Sequence, residues 1–474
     1  MIAFAVPALA ETQNIKVSGD ITVAFVGQNN TDLSDADDGS TDRGDGVDAV
    51  YGHLGTDVQT NENDDDNYFI QQVGINVEAD LTDNVSTYVR IINERAWDAE
   101  TQSGYADSTA TTAYAGSNEA FDITLDEAYL TLKEMLYAPL TVKIGRQNIW
   151  LGKGFVMGNA GAAVWDTQGG LPIRIQEVSD ATAFDSIRAT LDYDPWTIDG
   201  IYAKIDDNGV EDLVNDGVDL YVVNVGYDFT KYDAEAEAYY ILKHNKTGRG
   251  NTVAQVTYDT NVIHTVGLRG SFVPFDNMNV WSEGGVQFGE YSDSDGMTRQ
   301  DIQASAFNIG GDYVFTDVRW TPLIGAEFTQ WSGEDPEQGG DWSAWDPLYP
   351  GKFDTQFAAF RNITKLTKRD GFVPDGTGNN NGATNENQIA GFASLQPMTD
   401  VTVDGKFSYL WYDEPPTVDL SDELGHEIDG KLTYDYTEDV QFTVAAAVFV
   451  PGGFFGENQD STASQIISAV SVDF

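Results

Sequence analysis

The stretch GHEIDGKLTYDYTEDV, residues 425–440, sets His426, Ile428, Gly430, Leu432, Tyr434 and Tyr436 on one parity. Glu427, Asp429, Lys431, Thr433 and Asp435 fall on the other. A two-residue period is that of a β-strand with one apolar and one polar face. Either a half-exposed soluble sheet or a membrane barrel with its polar face inward gives this pattern. The fold turns on which face is wet.

The same alternation recurs at about 14–28, 67–80, 84–97, 120–134, 139–150, 182–194, 196–206, 216–229 and 232–244. It continues at 260–273, 277–291, 301–315, 318–331, 385–396, 399–413, 424–437, 439–451 and 461–474. Nearly all these segments reach the ~9–11 residues that a tilted strand needs to cross a bilayer. No helical period of comparable length occurs, nor any apolar run of the roughly 18 residues that a spanning helix needs.

The connections decide between the two readings, because they alternate strictly between short and long. Short ones are TDN (82–84), DPW (194–196), TKYD (230–233), PFDN (274–277), FTD (315–317), PMTD (397–400) and TED (437–439). Between them lie polar stretches at 29–66, 98–119, 151–181, 207–215, 245–259, 292–300, 332–384, 414–423 and 452–460. A soluble sandwich has no reason to sort loops by parity, whereas an outer-membrane barrel has tight periplasmic turns and long external loops. The sequence therefore predicts an all-β chain: one antiparallel up-and-down transmembrane barrel of about 18 strands, both termini on the short-turn side. Trp97, Trp150, Trp196, Trp281, Trp320, Trp331 and Trp411 lie near strand ends, where interfacial girdles belong. The chain closes on IISAVSVDF, whose Ile466, Val470, Val472 and Phe474 share one face.

Composition fits. The 474 residues carry 77 acidic and 25 basic side chains, a net charge of −52, and no cysteine. Phosphate binding needs a basic footprint, so a nucleic-acid partner is excluded. Without cysteine there is no disulfide scaffold, thiolate zinc site or thiol nucleophile. The first residues, MIAFAVPALAET, read as the end of a secretory signal with Ala8-Leu9-Ala10 at its cleavage site. Residues 1–10 are assigned to that signal and 11–474 to the barrel.

Apolar faces turned to lipid leave the charged faces inward. The polar faces of 232–244 and 399–413 contribute Glu235, Glu237, Asp404 and Lys406, and the opening stretch contributes Glu427, Asp429 and Lys431. The same rule places Arg90, Glu94, Arg188, Arg269, Glu283, Arg319 and Glu327 in the lumen. There they could set a transverse field or merely solvate and brace the wall. Strict alternation would turn Arg146 to lipid, which is costly unless it lies at the rim or Gly145 marks a bulge, and the bulge is the favoured expectation. The acidic loops TDLSDADDGSTDRGDGVDAV (31–50) and SDSDG (292–296), carrying Asp35, Asp37, Asp293 and Asp295, combine hard oxygen ligands with glycine turns and are candidates for Ca²⁺. They lack EF-hand spacing, and a solvated acidic surface is the alternative. Loops 151–181 and 332–384 are long enough to fold into the mouth. His244 and His264 lie near Ser and Asp, but no spaced catalytic motif accompanies them.

Three blocks resemble the alginate-export family of outer-membrane barrels. They are LDEAYLTLKEMLYAPLTVKIGRQNIWLGKGFVMG (125–158), Trp165 followed by Phe184-Asp185 and Arg188 in 164–193, and LGHEIDGKLTYDYTEDVQFTVAAAVFVPG (424–452). The resemblance implies an eighteen-stranded monomeric barrel whose narrow pore is lined by Arg and Lys; Arg146, Arg188, Lys143 and Lys431 match here. A charge of −52 departs from a cationic conduit.

The reading that results is a non-enzymatic, porin-like channel in the bacterial outer membrane, without cofactor unless Ca²⁺ occupies the loops. It would pass small hydrophilic solutes by diffusion and touch outer-membrane lipid and lipopolysaccharide. A monomer is favoured over a trimer. The alternatives are a pore for poly- or oligosaccharide export or uptake, and an adhesive Ca²⁺-binding surface barrel.

Overall fold

The computed structural model describes residues 14–30, 33, 66–97, 123–137, 139–158, 183–206, 217–245, 261–292, 299–334, 341–349, 384–415, 421–455 and 460–474. The signal-peptide assignment and Asp35, Asp37, Asp293 and Asp295 lie outside them.

The first nine strands are β1 Asn14–Asn29, β2 Asp66–Thr82, β3 Val85–Ala96, β4 Thr124–Leu132, β5 Leu140–Gln147, β6 Phe184–Tyr193, β7 Trp196–Asp206, β8 Val218–Phe229 and β9 Ala234–Asn245. The second nine are β10 Asn261–Phe272, β11 Met278–Ser292, β12 Arg299–Val314, β13 Leu323–Trp331, β14 Glu386–Met398, β15 Val401–Tyr412, β16 Glu423–Asp435, β17 Val440–Pro451 and β18 Ala463–Asp473. Each pairs antiparallel with its neighbours in sequence, and β1 pairs with β18, so the sheet closes without an edge. Reciprocal backbone hydrogen bonds between Gly19 and Phe474, 2.8 and 2.9 Å, lock the seam where the chain ends.

On the side of that seam the connections are 83–84, 133–139, 194–195, 230–233, 273–277, 315–322, 399–400 and 436–439. Every other connection is at the opposite end, and these are the longer ones except 293–298, which is shorter than 133–139 and 315–322. In β16, Ile428 is 53% exposed and Glu427 0%. The outward face carries Val17, Ile75, Ile144, Ile187, Leu268, Val286, Ile309, Ile324, Ile389, Phe407 and Leu432, all exposed. An apolar band of this extent needs a lipid surround.

Three expectations change. First, the inner face is not polar throughout. At the outer ends of β7 to β13, Ile201, Leu220, Val222, Ile241, Ile263, Ile302 and Trp331 point inward and are buried in one apolar cluster. They are covered by chain that enters the barrel, described below. Second, Trp281 and Trp331 are not girdle residues; both are buried on the inner face. Trp97, Trp196, Trp320 and Trp411 do stand on the outer surface. Third, Arg319 is not a wall residue. Residues 315–322 form a turn because Pro322 cannot donate to the ladder. Exposed there, Arg319 lies over the Trp320 ring at 4.8 Å.

Arg146 is corrected too. β5 pairs with β6 from Leu140 to Gln147 without a register shift. Gly145 takes a φ of +126° but inserts no residue. Arg146 therefore keeps the outward parity of Ile144. It sits at the outer end of the strand, donates to the Asp126 carbonyl at 2.8 Å and pairs with Asp185 at 3.6 Å. A rim position and a counter-ion make the outward cation affordable without a bulge.

Candidate functional site: a constriction built by two inward segments

Two segments from the long-loop end fold into the lumen. The first, 148–158, follows β5 and turns tightly on itself, with Gly154 N–H donating to the Leu151 carbonyl (2.8 Å) and Leu151 N–H to that of Met157 (3.0 Å). The second, 341–349, lies beyond β13. Its Trp342 exchanges backbone hydrogen bonds with Asp301 and Gln303 (2.6 and 2.7 Å), and Trp345 donates to the Ser332 carbonyl at 2.9 Å. The two join where Gly158 N–H donates to the Tyr349 carbonyl (2.8 Å) and Tyr349 N–H to that of Val156 (3.2 Å). Ile149, Leu151, Val156 and Met157 pack with Trp342, Trp345, Leu348 and Tyr349 onto the apolar inner wall. Burial of this size holds the inserted chain far more firmly than its hydrogen bonds alone.

Polar side chains fix its position. Lys243 of β9 donates to both Asp346 oxygens, at 3.2 and 3.0 Å; the two side chains are 6% and 0% exposed. The Gln287 amide bonds the Asp346 backbone in both directions, donating to its carbonyl (2.9 Å) and accepting from its N–H (2.8 Å). Trp345 packs where the wall carries Gly285, at which a Cβ would stand 3.3 Å from the indole.

The tip of the first segment meets the charged wall. Gly152 N–H donates to Glu237 (3.3 Å), Lys153 N–H to Glu283 (2.9 Å), and the Tyr239 hydroxyl also donates to Glu283 (3.1 Å). Gly152 has φ +55°, and a Cβ there would lie 2.5 Å from a Glu283 oxygen, so glycine is required twice over. Arg269 bridges Glu237 (2.9 Å) and Glu235 (2.5 Å) across β9 and β10, and Ser271 supports Glu235. Glu235, Glu237, Arg269 and Glu283 thus form one cluster that grips the tip.

The other sequence-derived positions form separate pairs around the wall. Arg90 reaches Asp20 (2.6 Å), Asn76 (2.9 Å) and Asp126 (3.2 Å). Glu94 accepts from Gln72 at 2.9 Å. Arg188 makes a two-pronged contact with Asp199, both arms 2.9 Å, while Lys143 stands opposite Arg188 and 4.8 Å over the Tyr129 ring. Lys406 bonds Glu327 (2.9 Å) and Lys431 approaches Asp404 (3.7 Å). Glu427 and Asp429 are buried on the inner parity of β16.

Several partners were missed. Asp20, Asp199 and Lys243 obey the alternation and needed only a fuller reading of it. Asp126 does not: Arg90 pairs with Glu127 and Ile91 with Leu125, so a register shift adds Asp126 to the inner side. Asp346, Gln287 and Lys153 act through loop insertion, which no period encodes. His264 keeps the outward parity of Val266, shares a 2.7 Å hydrogen bond with Tyr240 and stacks on Phe288. Among the described residues no group of three or more metal-ligating side chains occurs.

Comparison with known proteins gives a consistent picture. The profile of one family, described as "Alginate export", matches residues 55–468. Solved structures with a similar fold include OccAB1 of Acinetobacter baumannii (10% identity, 98% of this chain and 99% of that one, TM-score 0.53). Others are OpdQ of Pseudomonas aeruginosa (10%, 97% and 97%, 0.52) and a BenF-like porin from Pseudomonas fluorescens Pf-5 (9%, 98% and 99%, 0.50). Identities this low speak for the shared barrel alone. None of the curated proteins searched matches the chain.

Proposed function

The chain belongs to the alginate export family and is a channel of the bacterial outer membrane, not an enzyme; on that premise we propose that it passes small hydrophilic solutes by passive diffusion. The observation that carries this reading is the pairing of the luminal bases. Arg90, Arg188, Lys243, Arg269, Lys406 and Lys431 each sit beside a carboxylate within the 2.5–3.7 Å range. Paired charges brace the wall and present small local fields rather than a continuous cationic track for a polyanion. Arg90, Glu94, Lys143, Arg188, Glu235, Glu237, Arg269, Glu283, Glu327, Asp404, Lys406, Glu427, Asp429 and Lys431 are proposed to line the path, with Arg146 and Arg319 outside it.

The outer face would meet lipid and lipopolysaccharide, and a monomer is the proposed state. Ca²⁺ binding at Asp35, Asp37, Asp293 and Asp295 is a separate proposal; melting that ignores chelator would refute it. Liposome swelling tests the transport reading. A neutral disaccharide should enter faster than a diuronate of similar mass. Preferential entry of the uronate would instead favour the exporter reading.

A further inference from the structure

The indole of Trp281 is held as a platform. Its ring lies flat on Gly310 of the next strand, where a Cβ would come within 2.4 Å of the ring, so one face is sealed against the sheet. Its N–H donates to Asn308 (3.0 Å), whose amide donates to the buried Thr329 hydroxyl (2.7 Å), so the ring cannot rotate about its attachment. The ring is buried on the inner face of the wall, and the Lys153 ammonium stands 3.6 Å from its centroid. That distance is a close cation–π contact in a site shielded from bulk water.

Carboxylates flank the platform. Glu283 is two residues along the same strand face, and Glu327 lies one strand beyond, opposite Gly310. Phe392, 6.4 Å from Trp281, extends the aromatic floor and covers Gly325 as Trp281 covers Gly310. An aromatic face bordered by anions recognises an alkylammonium head: the quadrupole attracts the charge and the carboxylates take its N–H donors. Lys153 reaches this place from a segment whose backbone is anchored separately, through Gly152 and Lys153 N–H to Glu237 and Glu283. These backbone anchors do not depend on the Lys153 side chain.

We propose that Trp281, flanked by Glu283 and Glu327, is a binding subsite for a primary ammonium group at the constriction, occupied in the resting channel by Lys153. Solutes bearing such a group compete with a tethered rival of high effective concentration. This inference rests on the channel reading.

The test uses the full chain in planar bilayers, with n-butylammonium as probe and Lys153→Met to remove the competing ammonium at nearly constant side-chain length. The variant should be blocked at concentrations at least tenfold lower than wild type. Trp281→Leu in the Lys153→Met background should abolish the gain, and Lys153→Arg should keep wild-type resistance. Equal block of wild type and Lys153→Met, or a gain that survives Trp281→Leu, overturns the subsite. If Trp281→Leu gives no open channels, Glu327→Gln in the same background replaces it and must weaken the block, or the proposal fails. Absence of conductance in wild type would instead strike the channel reading.

Discussion

Lys243→Met removes the ammonium that meets Asp346 while keeping much of the side chain's shape. Asp346 is fully buried, and among the described residues the donor left to its carboxylate is the Leu348 N–H (2.9 Å). Stripping one member from a buried pair costs about 3–5 kcal/mol, because the remaining charge is stranded in a medium that solvates it poorly. At about 1.4 kcal/mol per factor of ten, the docked-to-undocked ratio of 341–349 falls by roughly 10² to 10³·⁵. Backbone hydrogen exchange reads this ratio directly. The amides of Trp342, Trp345 and Tyr349, each hydrogen-bonded in the docked state, should exchange about 100-fold faster or more, while wall amides stay protected. Adding Asp346→Asn removes the stranded charge and should restore most of the protection, since losing both partners of a buried pair is far milder than losing one. Exchange within about threefold of wild type in the single variant, the usual scatter of independent sites, would refute the assigned role of the pair. So would a double variant that exchanges as fast as the single one.

Other perturbations follow from the same geometry. Glu283→Ala leaves the Lys153 N–H and the Tyr239 hydroxyl without their acceptor, about 1–3 kcal/mol for each buried donor. Open-channel current noise should rise, and Glu283→Gln, which still accepts, should raise it less. At Gly267 an added Cβ would lie 2.1 Å from the Tyr239 ring, so Gly267→Ala should cost about 1–3 kcal/mol, read as a lower melting temperature in detergent. At Gly430 on the lipid side a Cβ would meet nothing within 4 Å, so Gly430→Ala should be neutral or stabilise by up to about 1 kcal/mol.

The wall was legible because a barrel strand writes both faces into its alternation and the loops write the orientation. Ile428 and Glu427 fell on the expected sides from parity alone. Alternation failed where one-residue geometry intervened, at the register shift beside Asp126; at Arg146 it held, and a rim position with a counter-ion, not a bulge, is what lets that cation face outward. Parity sets Ile241 and Ile263 on the inner side with Glu237 and Arg269, but it does not say what covers apolar side chains there. A residue's partner there is inserted chain, and 341–349 carries no period announcing that Asp346 will meet Lys243. Trp281 shares the parity of Glu283, so alternation already set it inward; the girdle assignment rested on its place near a strand end alone, and Gly310 across the sheet makes room for its ring.

The central claim is an open aqueous channel whose luminal bases are balanced by carboxylates, and the zero-current potential across a tenfold KCl gradient in planar bilayers tests it most directly. Discrete conductance steps with a modest preference for cations are the predicted result, in keeping with paired bases and the remaining acidic side chains. A strong anion preference would contradict the pairing, and a bilayer that stays silent at every voltage would contradict the channel itself.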